Sequence, residues 1–244
     1  KHYDSLIQEA NFIIKENYFR DKVIHLIVKN IIIDENKNIE ILKDDIKTKS
    51  LILEIKFICL SKSIINNISN RFKKNNLNIS NIFCSSYVKT FFYKKYLENK
   101  NNFIFLDIGF NRTSAWFFCN KKLEYVSSVS LGGNNITKDI SKVLKLNIDY
   151  SEQLKINFNK ESQNQSLDKN HSHKINLFDE NLEKNISIDL FKEITQARIN
   201  EIIELTLNQN NYLQKISPLE KPTVIFIGGG SKLLSNFYSL NSKK

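Results

Sequence analysis

Apolar residues recur along this chain in two rhythms, one helical and one extended. Leu6, Ile7, Ala10, Ile13 and Ile14 fall three and four apart, so residues 4–16 read as an amphipathic helix that Asp4 or Ser5 caps. Lys22 to Ile33 is almost continuously apolar and β-branched, and Leu51 to Leu60 alternates in part. Both read as strands, parted by a polar turn at 34–38 and a short extended Ile39-Glu40-Ile41. Ser61 offers a cap for a helix through Phe72 with Ile64, Ile65, Ile68 and Phe72 on one face, and Ser80 to Phe83 reads as a short strand. Residues 22–83 thus make a compact α+β unit. Ser86 to Leu97 follows as a helix that directs Val88, Phe91, Phe92 and Tyr96 inward.

The second half begins with an apolar run, Phe103 to Leu106, that ends at Asp107-Ile108-Gly109; a further run, Ala115 to Cys119, makes this a strand, tight turn, strand. Leu123 to Leu131 is another strand. After Gly132-Gly133, Asn135 is expected to cap a helix over Ile136 to Leu146, with Ile136, Ile140, Val143 and Leu144 inward and Asp139 in its first turn. Ser151 to Phe158 reads as a helix, 159–174 as a polar loop, and Ile175 to Phe178 and Ile186 to Ile188 as short strands. Asp189 is expected to cap a long helix, Leu190 to Asn208, that buries Phe191, Ile194, Ile199, Ile202, Ile203 and Leu205. Pro222 to Ile227 is a buried strand that runs into Gly228-Gly229-Gly230-Ser231, with a helix from Leu233.

Two places in this pattern carry candidate chemistry, because each joins a strand end to a glycine turn. A carboxylate at Asp107 can hold a hydrated cation, and the turn behind it, with hydroxyls at Thr113 and Ser114, can face an anion. Strand, glycine turn and helix at 222–233 is a phosphate- or nucleotide-cradling order. Three of the six glycines in the chain stand there in a row, which implies close backbone approach.

Composition changes this picture little. The net charge is +10, yet Lys is spread through the chain among Asn and Ile, so solvated faces are favoured over a nucleic-acid stripe; Arg71-Phe72-Lys73-Lys74 and Phe91 to Lys95 are the nearest to patches. Cys59, Cys84 and Cys119 read as reduced core thiols, and His171 and His173 lack a third metal ligand nearby. No apolar run approaches the roughly 20 residues of a membrane span. The chain has no Met and starts at Lys1, and is read as a fragment or processed chain.

Four signals stand in one order: Asp107-Ile108-Gly109 with Thr113-Ser114, Gly132-Gly133-Asn134-Asn135-Ile136-Thr137-Lys138-Asp139, Glu152-Gln153-Leu154-Lys155, and Ile227-Gly228-Gly229-Gly230-Ser231. In that order and spacing, over residues 100–235, the chain resembles the FtsA family of bacterial cell-division proteins, within the actin/Hsp70 ATPase superfamily. The resemblance implies an α/β chain with an actin-like ATPase fold, built on a ribonuclease H-like βββαβα lobe with an inserted α+β subdomain of the 1C type. Residues 24–83 would be that subdomain, 1–23 and 84–99 parts of subdomain 1A, and 100–244 subdomains 2A and 2B.

The resemblance further implies ATP and Mg²⁺ as cofactors. Asp107 would hold the hydrated metal, Gly109 and Thr113 would face the phosphates, and Glu152 and Lys155 would contact ribose or adenine. Gly228, Gly229, Gly230 and Ser231 would lie against the adenosine, where a side chain would collide with the base. At 110–112 the chain has Phe-Asn-Arg where the family has Gly-Gly-Thr, which predicts weakened or altered nucleotide binding; Asn111, tolerant of a left-handed conformation, would partly replace glycine there. The implied role is that of an adaptor with at most weak ATPase activity, not a turnover enzyme. It would tether the FtsZ ring to the cytoplasmic face of the inner membrane at the division septum, self-associate into filaments and recruit other divisome proteins. FtsZ would be met through roughly Lys155 to Asn200, and the membrane through a C-terminal amphipathic helix absent here. A pilus-type actin-like adaptor and a small-molecule kinase of the same superfamily are the alternatives, and no nucleic-acid partner is expected.

Overall fold

The computed structural model describes residues 3–34, 37–39, 48–97, 99–164, 187–208 and 222–234. The chain divides into two compact units, Lys1–Glu98 and Asn99–Lys244.

In the first unit, α1 (Tyr3–Asn17) leads into a three-stranded antiparallel sheet of order β2-β1-β3, formed by β1 (Asp21–Ile33), β2 (Lys37–Ile39) and β3 (Leu51–Ser61). The long apolar runs at 22–33 and 51–60 pair with each other from Asp21↔Ser61 to Ile33↔Leu51. Helix α2 (Lys62–Lys73) follows at once and turns only Ile65 into a buried position, while Ile64, Ile68 and Phe72 stay exposed. Ser61 precedes α2 without a side-chain cap bond; its hydroxyl meets that of Ser63 instead. Ser80 to Phe83 is not a strand but irregular chain leading to α3 (Ser85–Lys94) and a 3-10 turn at Lys95–Leu97.

The rotation of α3 differs from the sequence expectation. Val88, Phe91, Phe92 and Tyr96 are exposed, and Tyr87 and Thr90 are buried. The cause is His25 on β1, whose Nε2 accepts the Cys84 N–H at 2.8 Å just before the helix starts, and whose ring meets Tyr87 edge-on at 5.0 Å. Those contacts fix which stripe of an aromatic-rich helix faces the sheet. Burial lowers the pKa of His25, which favours the neutral ring that this acceptor role needs. Cys59 is exposed and not a core thiol.

The second unit holds a four-stranded sheet of order β6-β5-β4-β7, from β4 (Phe103–Ile108), β5 (Thr113–Cys119), β6 (Lys122–Val129) and β7 (Thr223–Ile227). The first three form a meander and β7 returns parallel to β4. Every residue of β4 is buried, as expected of a near-continuous apolar run in a central strand. Ile104, Leu106 and Ile108 face a core shared with α4 (Gly133–Leu144), α5 (Ile148–Asn164) and α6 (Ile188–Asn208). On the opposite face Phe103 stacks on Phe118 with ring centroids 4.8 Å apart.

The helix ends differ from expectation in instructive ways. Helix α4 starts at Gly133, with Asn135 inside its first turn: the Asn135 Oδ1 accepts the Gly132 N–H at 3.0 Å from within the helix. Asp139 sits mid-helix and takes a bidentate grip from Arg198 of α6, at 2.5 and 3.1 Å. Asn147 caps α5, its side chain accepting the Tyr150 N–H at 2.7 Å, so that helix starts earlier than Ser151 and runs through Asn164. Ser187, not Asp189, caps α6, with its Oγ accepting the Leu190 N–H. Ile188 is therefore helical, not extended. Ile175 to Phe178, Ile186 and the His171/His173 pair lie outside the described residues.

Buried on α6 are Phe191, Ile199 and Ile202 together with Thr195 and Thr206, whereas Leu205 is exposed. The threonines are tolerated because each hydroxyl donates to its own helix: Thr195 to Phe191 O at 2.9 Å and Thr206 to Ile202 O at 2.6 Å. Val143, expected inside, is 50% exposed. In a chemical-denaturation experiment Phe191→Ala is expected to lose about 3–5 kcal/mol and Val143→Ala less than about 0.5 kcal/mol, because only the first leaves a cavity. Equal losses would contradict the α4 and α6 registers.

Candidate functional site

The parallel pairing of β4 with β7 puts Asp107 beside Ile227, so two strand ends release the chain side by side. In open α/β sheets this is where ligands collect. Past β7, Gly228 takes φ 91°, a left-handed conformation that favours glycine. A Cβ on Gly228 would stand 2.4 Å from Asp107 Oδ1 and 2.5 Å from Ile108 O, and one on Gly230 would stand 2.5 Å from Ile108 Cγ2. These two glycines therefore let the turn close onto the end of β4. Gly229 alone of the three has open space where a side chain would stand. At Gly228 and Gly230 collision with β4 is thus by itself a reason for glycine, whatever occupies the cavity. Ser231 closes the turn, its Oγ donating to Gly228 O at 2.7 Å.

Past β4, residues 109–112 close the hairpin to β5 through a Gly109 N–H bond to Arg112 O at 2.9 Å. No residue of that tip has a positive φ, so Asn111 does not replace glycine in a left-handed turn as expected. Its side chain accepts from Asn134 Nδ2 at 2.9 Å. The tip is seated on the start of α4: Gly133 N–H donates to Gly109 O at 2.9 Å and Asn134 N–H to Phe110 O at 2.8 Å. Two donors that every helix start leaves open are thereby satisfied. The approach demands glycine at 132, where a Cβ would stand 2.5 Å from Gly109 O and 2.6 Å from Phe110 O. In a trans peptide the N–H points opposite to the C=O. Turning the carbonyls of Gly109 and Phe110 toward α4 therefore turns the N–H groups of Phe110 and Asn111 away from it.

Helix α5 supplies the third wall. Glu152 and Lys155, three apart, lie on one face and pair at 2.6 Å. Lys155 Nζ also donates to Thr137 Oγ1 at 2.7 Å and to Gly133 O at 3.1 Å. The Thr137 hydroxyl in turn meets Gly133 O at 3.1 Å and Glu152 Oε2 at short range. Burial pushes the Glu152 carboxyl up, but the Lys155 ammonium and the Thr137 hydroxyl outweigh it and hold it below the usual carboxylate value.

These walls enclose a cavity of about 540 Å³, lined by Gly109, Phe110, Gly133, Glu152, Lys155, Ile156, Gly229, Gly230, Lys232 and Leu233. That is the size and mixed lining of a small-molecule site. Of the residues singled out in the sequence, Gly109, Glu152, Lys155, Gly229 and Gly230 line it. Asp107 and Thr113 are buried, and with Gly228 and Ser231 they are not part of the lining; the Thr113 hydroxyl donates to Leu131 O at 2.8 Å. Arg112 is exposed and is not part of the lining either. Phe110, the departure noted at the tip, also lines the cavity and is 60% exposed, while Ile156, Lys232 and Leu233 are additions. Only their nearness to Lys155 and the glycine triad would have signalled them.

Two glycines in this site separate packing from ligand space. Gly132→Ala is expected to lower stability by about 1–3 kcal/mol through overpacking against the hairpin, and Gly229→Ala to change it by less than about 0.5 kcal/mol. Denaturant midpoints of the two variants measure this, and the reverse order would contradict the docked tip.

Comparison with known proteins gives the family and the fold. Residues 104–240 match the family model described as cell division protein FtsA. The cell division protein FtsA of Enterococcus faecalis is 25% identical over 179 residues, which cover 73% of this chain and 40% of that protein. The chain therefore spans well under half the length of that curated relative. Among solved structures, the PilM-PilN type IV pilus biogenesis complex matches with a TM-score of 0.64 at 13% identity, over 99% of this chain and 60% of the other. MreB 5 of Spiroplasma citri bound to AMPPNP matches with a TM-score of 0.50 at 15% identity, over 75% and 59%. These likenesses show the actin-like ATPase fold. With more than half of its residues matched by the family model, the chain belongs to the FtsA family of actin-like cell-division proteins.

Proposed function

We propose that the cavity is an ATP site and that the protein serves the division machinery as a nucleotide-binding adaptor. The observation that carries this reading is the convergence on one cavity of the β4–β5 hairpin tip, the Glu152/Lys155 face of α5 and the turn after β7. A phosphate chain fits against the tip, where the backbone N–H groups of Phe110 and Asn111 face away from α4. A ribose hydroxyl fits the Glu152 carboxylate, which is one-third exposed. The open side of Gly229 leaves room for a base.

Asp107, at the end of β4, would hold a magnesium ion through water, as Mg²⁺ prefers when it shares a carboxylate with phosphates. That ion would neutralise phosphate charge. Thr113 would act from behind the tip, by fixing the hairpin to Leu131, more than by direct contact. Phe110 at the tip puts a bulky ring where close phosphate approach needs little side chain, so binding is weak and ATPase activity at most slight.

Membership of the FtsA family supports the wider role: tethering the FtsZ ring to the inner membrane at the septum, self-association and recruitment of divisome proteins. The FtsZ contact would fall in the stretch from Lys155 to Asn200. The likeness to the PilM-PilN complex favours a second reading, a pilus-type adaptor; at 13% identity it speaks for the fold, while the matches in sequence are to FtsA.

The test combines two measurements on the protein. It is expected to co-sediment with FtsZ polymers; co-sedimentation with a pilus partner alone would favour the second reading. In calorimetric titration with Mg²⁺ and ATP, the Phe110→Gly/Asn111→Gly double variant is expected to bind at least about tenfold more tightly than the wild type, a gain of about 1.4 kcal/mol. Tight binding that is unchanged between the two would contradict the role given to the tip.

A further inference from the structure

Cys84 stands at the start of α3 and gives the helix no side-chain cap, and its amide is among the donors that a helix start leaves open. The acceptor comes from the sheet: His25 Nε2 on β1, 2.8 Å away. An imidazole that accepts at Nε2 is neutral and carries its proton on Nδ1. The same ring meets Tyr87 edge-on at 5.0 Å and Phe83 at 5.8 Å. Tyr87 and Thr90 are the buried residues of α3, so His25 touches the helix both at its open end and at its buried ring.

We propose that His25 is a proton-operated latch: neutral, it seats the start of α3 on β1, and protonated it lets that start go. Two things change together when Nε2 takes a proton. The lone pair that received the Cys84 amide is replaced by a donor, so two N–H groups oppose each other. The new positive charge also stands at a helix N-terminus, where the helix dipole is itself positive. The groups around the ring do not offset this. From α3 come the Tyr87 phenol, which burial keeps in its neutral form, and the Cys84 thiol. From β3 comes Lys56, paired with Ile27 two residues along β1 and so on the same side of the sheet, where it adds a like charge. On β1 itself Asp21, Lys22 and Lys29 are three or four residues away, and Lys29 is paired with Glu54. Burial lowers the pKa of His25 from its ordinary 6.5, as a seat that favours the neutral ring requires. The seating is therefore at full strength above the released ring's pKa of about 6.5, and is lost as pH falls below it toward the seated ring's lower value.

NMR on the full chain tests the latch. In the wild type the His25 ring is expected to titrate below pH 6.5. Amide-exchange protection at Cys84 and along α3, corrected for the intrinsic pH dependence of exchange, is expected to fall about threefold or more between about pH 7.5 and pH 5, while β1 and β3 keep theirs to within about twofold. In His25→Gln the side-chain oxygen accepts an amide and does not titrate, so α3 protection is expected to stay within about twofold over the same range. His25→Phe keeps a ring but has no acceptor. Its α3 is expected to be about threefold or more less protected than that of the wild type at pH 7.5 and insensitive to pH, and it carries the test should His25→Gln fail to fold. A ring midpoint at or above 6.5, or a wild-type loss smaller than about threefold, would overturn the proposal. So would the same loss in the variants, which would assign it to another titrating group, or a loss spread equally over β1 and β3, which would make it general acid unfolding.

Discussion

The seating of the β4–β5 tip on α4 is the contact on which the site depends. Two backbone hydrogen bonds, from Gly133 and Asn134 to Gly109 and Phe110, join a hairpin to a helix start. Each solves the other's problem. The helix start has donors that must be satisfied, and the tip has carbonyls that must point somewhere. The contact works only because residue 132 has no side chain, since a Cβ there would press into two carbonyl oxygens. The helix start is thereby spent on protein, and the tip turns the N–H groups of Phe110 and Asn111 away from α4.

The same economy runs through the other walls. Gly228 and Gly230 are needed because β7 lies parallel to β4 and its turn must fold back over Asp107 and Ile108. Thr113 and Ser231 spend their hydroxyls on backbone carbonyls, and the Thr137 hydroxyl is shared between Gly133 O and the Glu152 carboxylate. Much of the motif chemistry in this chain therefore builds the walls of the cavity, and a smaller set, among them Gly109, Glu152 and Gly229, lines it. The bidentate Arg198–Asp139 pair ties α6 to α4.

The sheet of the second unit was legible because its strands are long apolar runs broken by glycine turns, and β4 is buried throughout. The order of motifs, more than any single one, marked residues that the fold brings to one cavity. Helix faces were less legible. The apolar stripe of α3 holds more aromatics than one face can bury, and only the distant His25 decides that Tyr87 turns inward while Phe91 and Phe92 stay out. Helix starts were misplaced where several small polar residues stand close together: Asn147, Ser187 and Asn135 act where Ser151, Asp189 and an N-cap role for Asn135 were expected. The Lys155–Thr137–Gly133 network was invisible because it joins residues 22 apart through the packing of α5 on α4.

In the proposed function the docked tip forms the phosphate end of a nucleotide site. A crystal structure of the protein with magnesium and a non-hydrolysable ATP analogue tests it most directly. The triphosphate is expected against residues 109–112, with the Gly133–Gly109 and Asn134–Phe110 bonds intact and the nucleoside between α5 and Gly229. A nucleotide bound elsewhere, or a tip lifted off α4 with the Gly133 and Asn134 amides on phosphate, would contradict it.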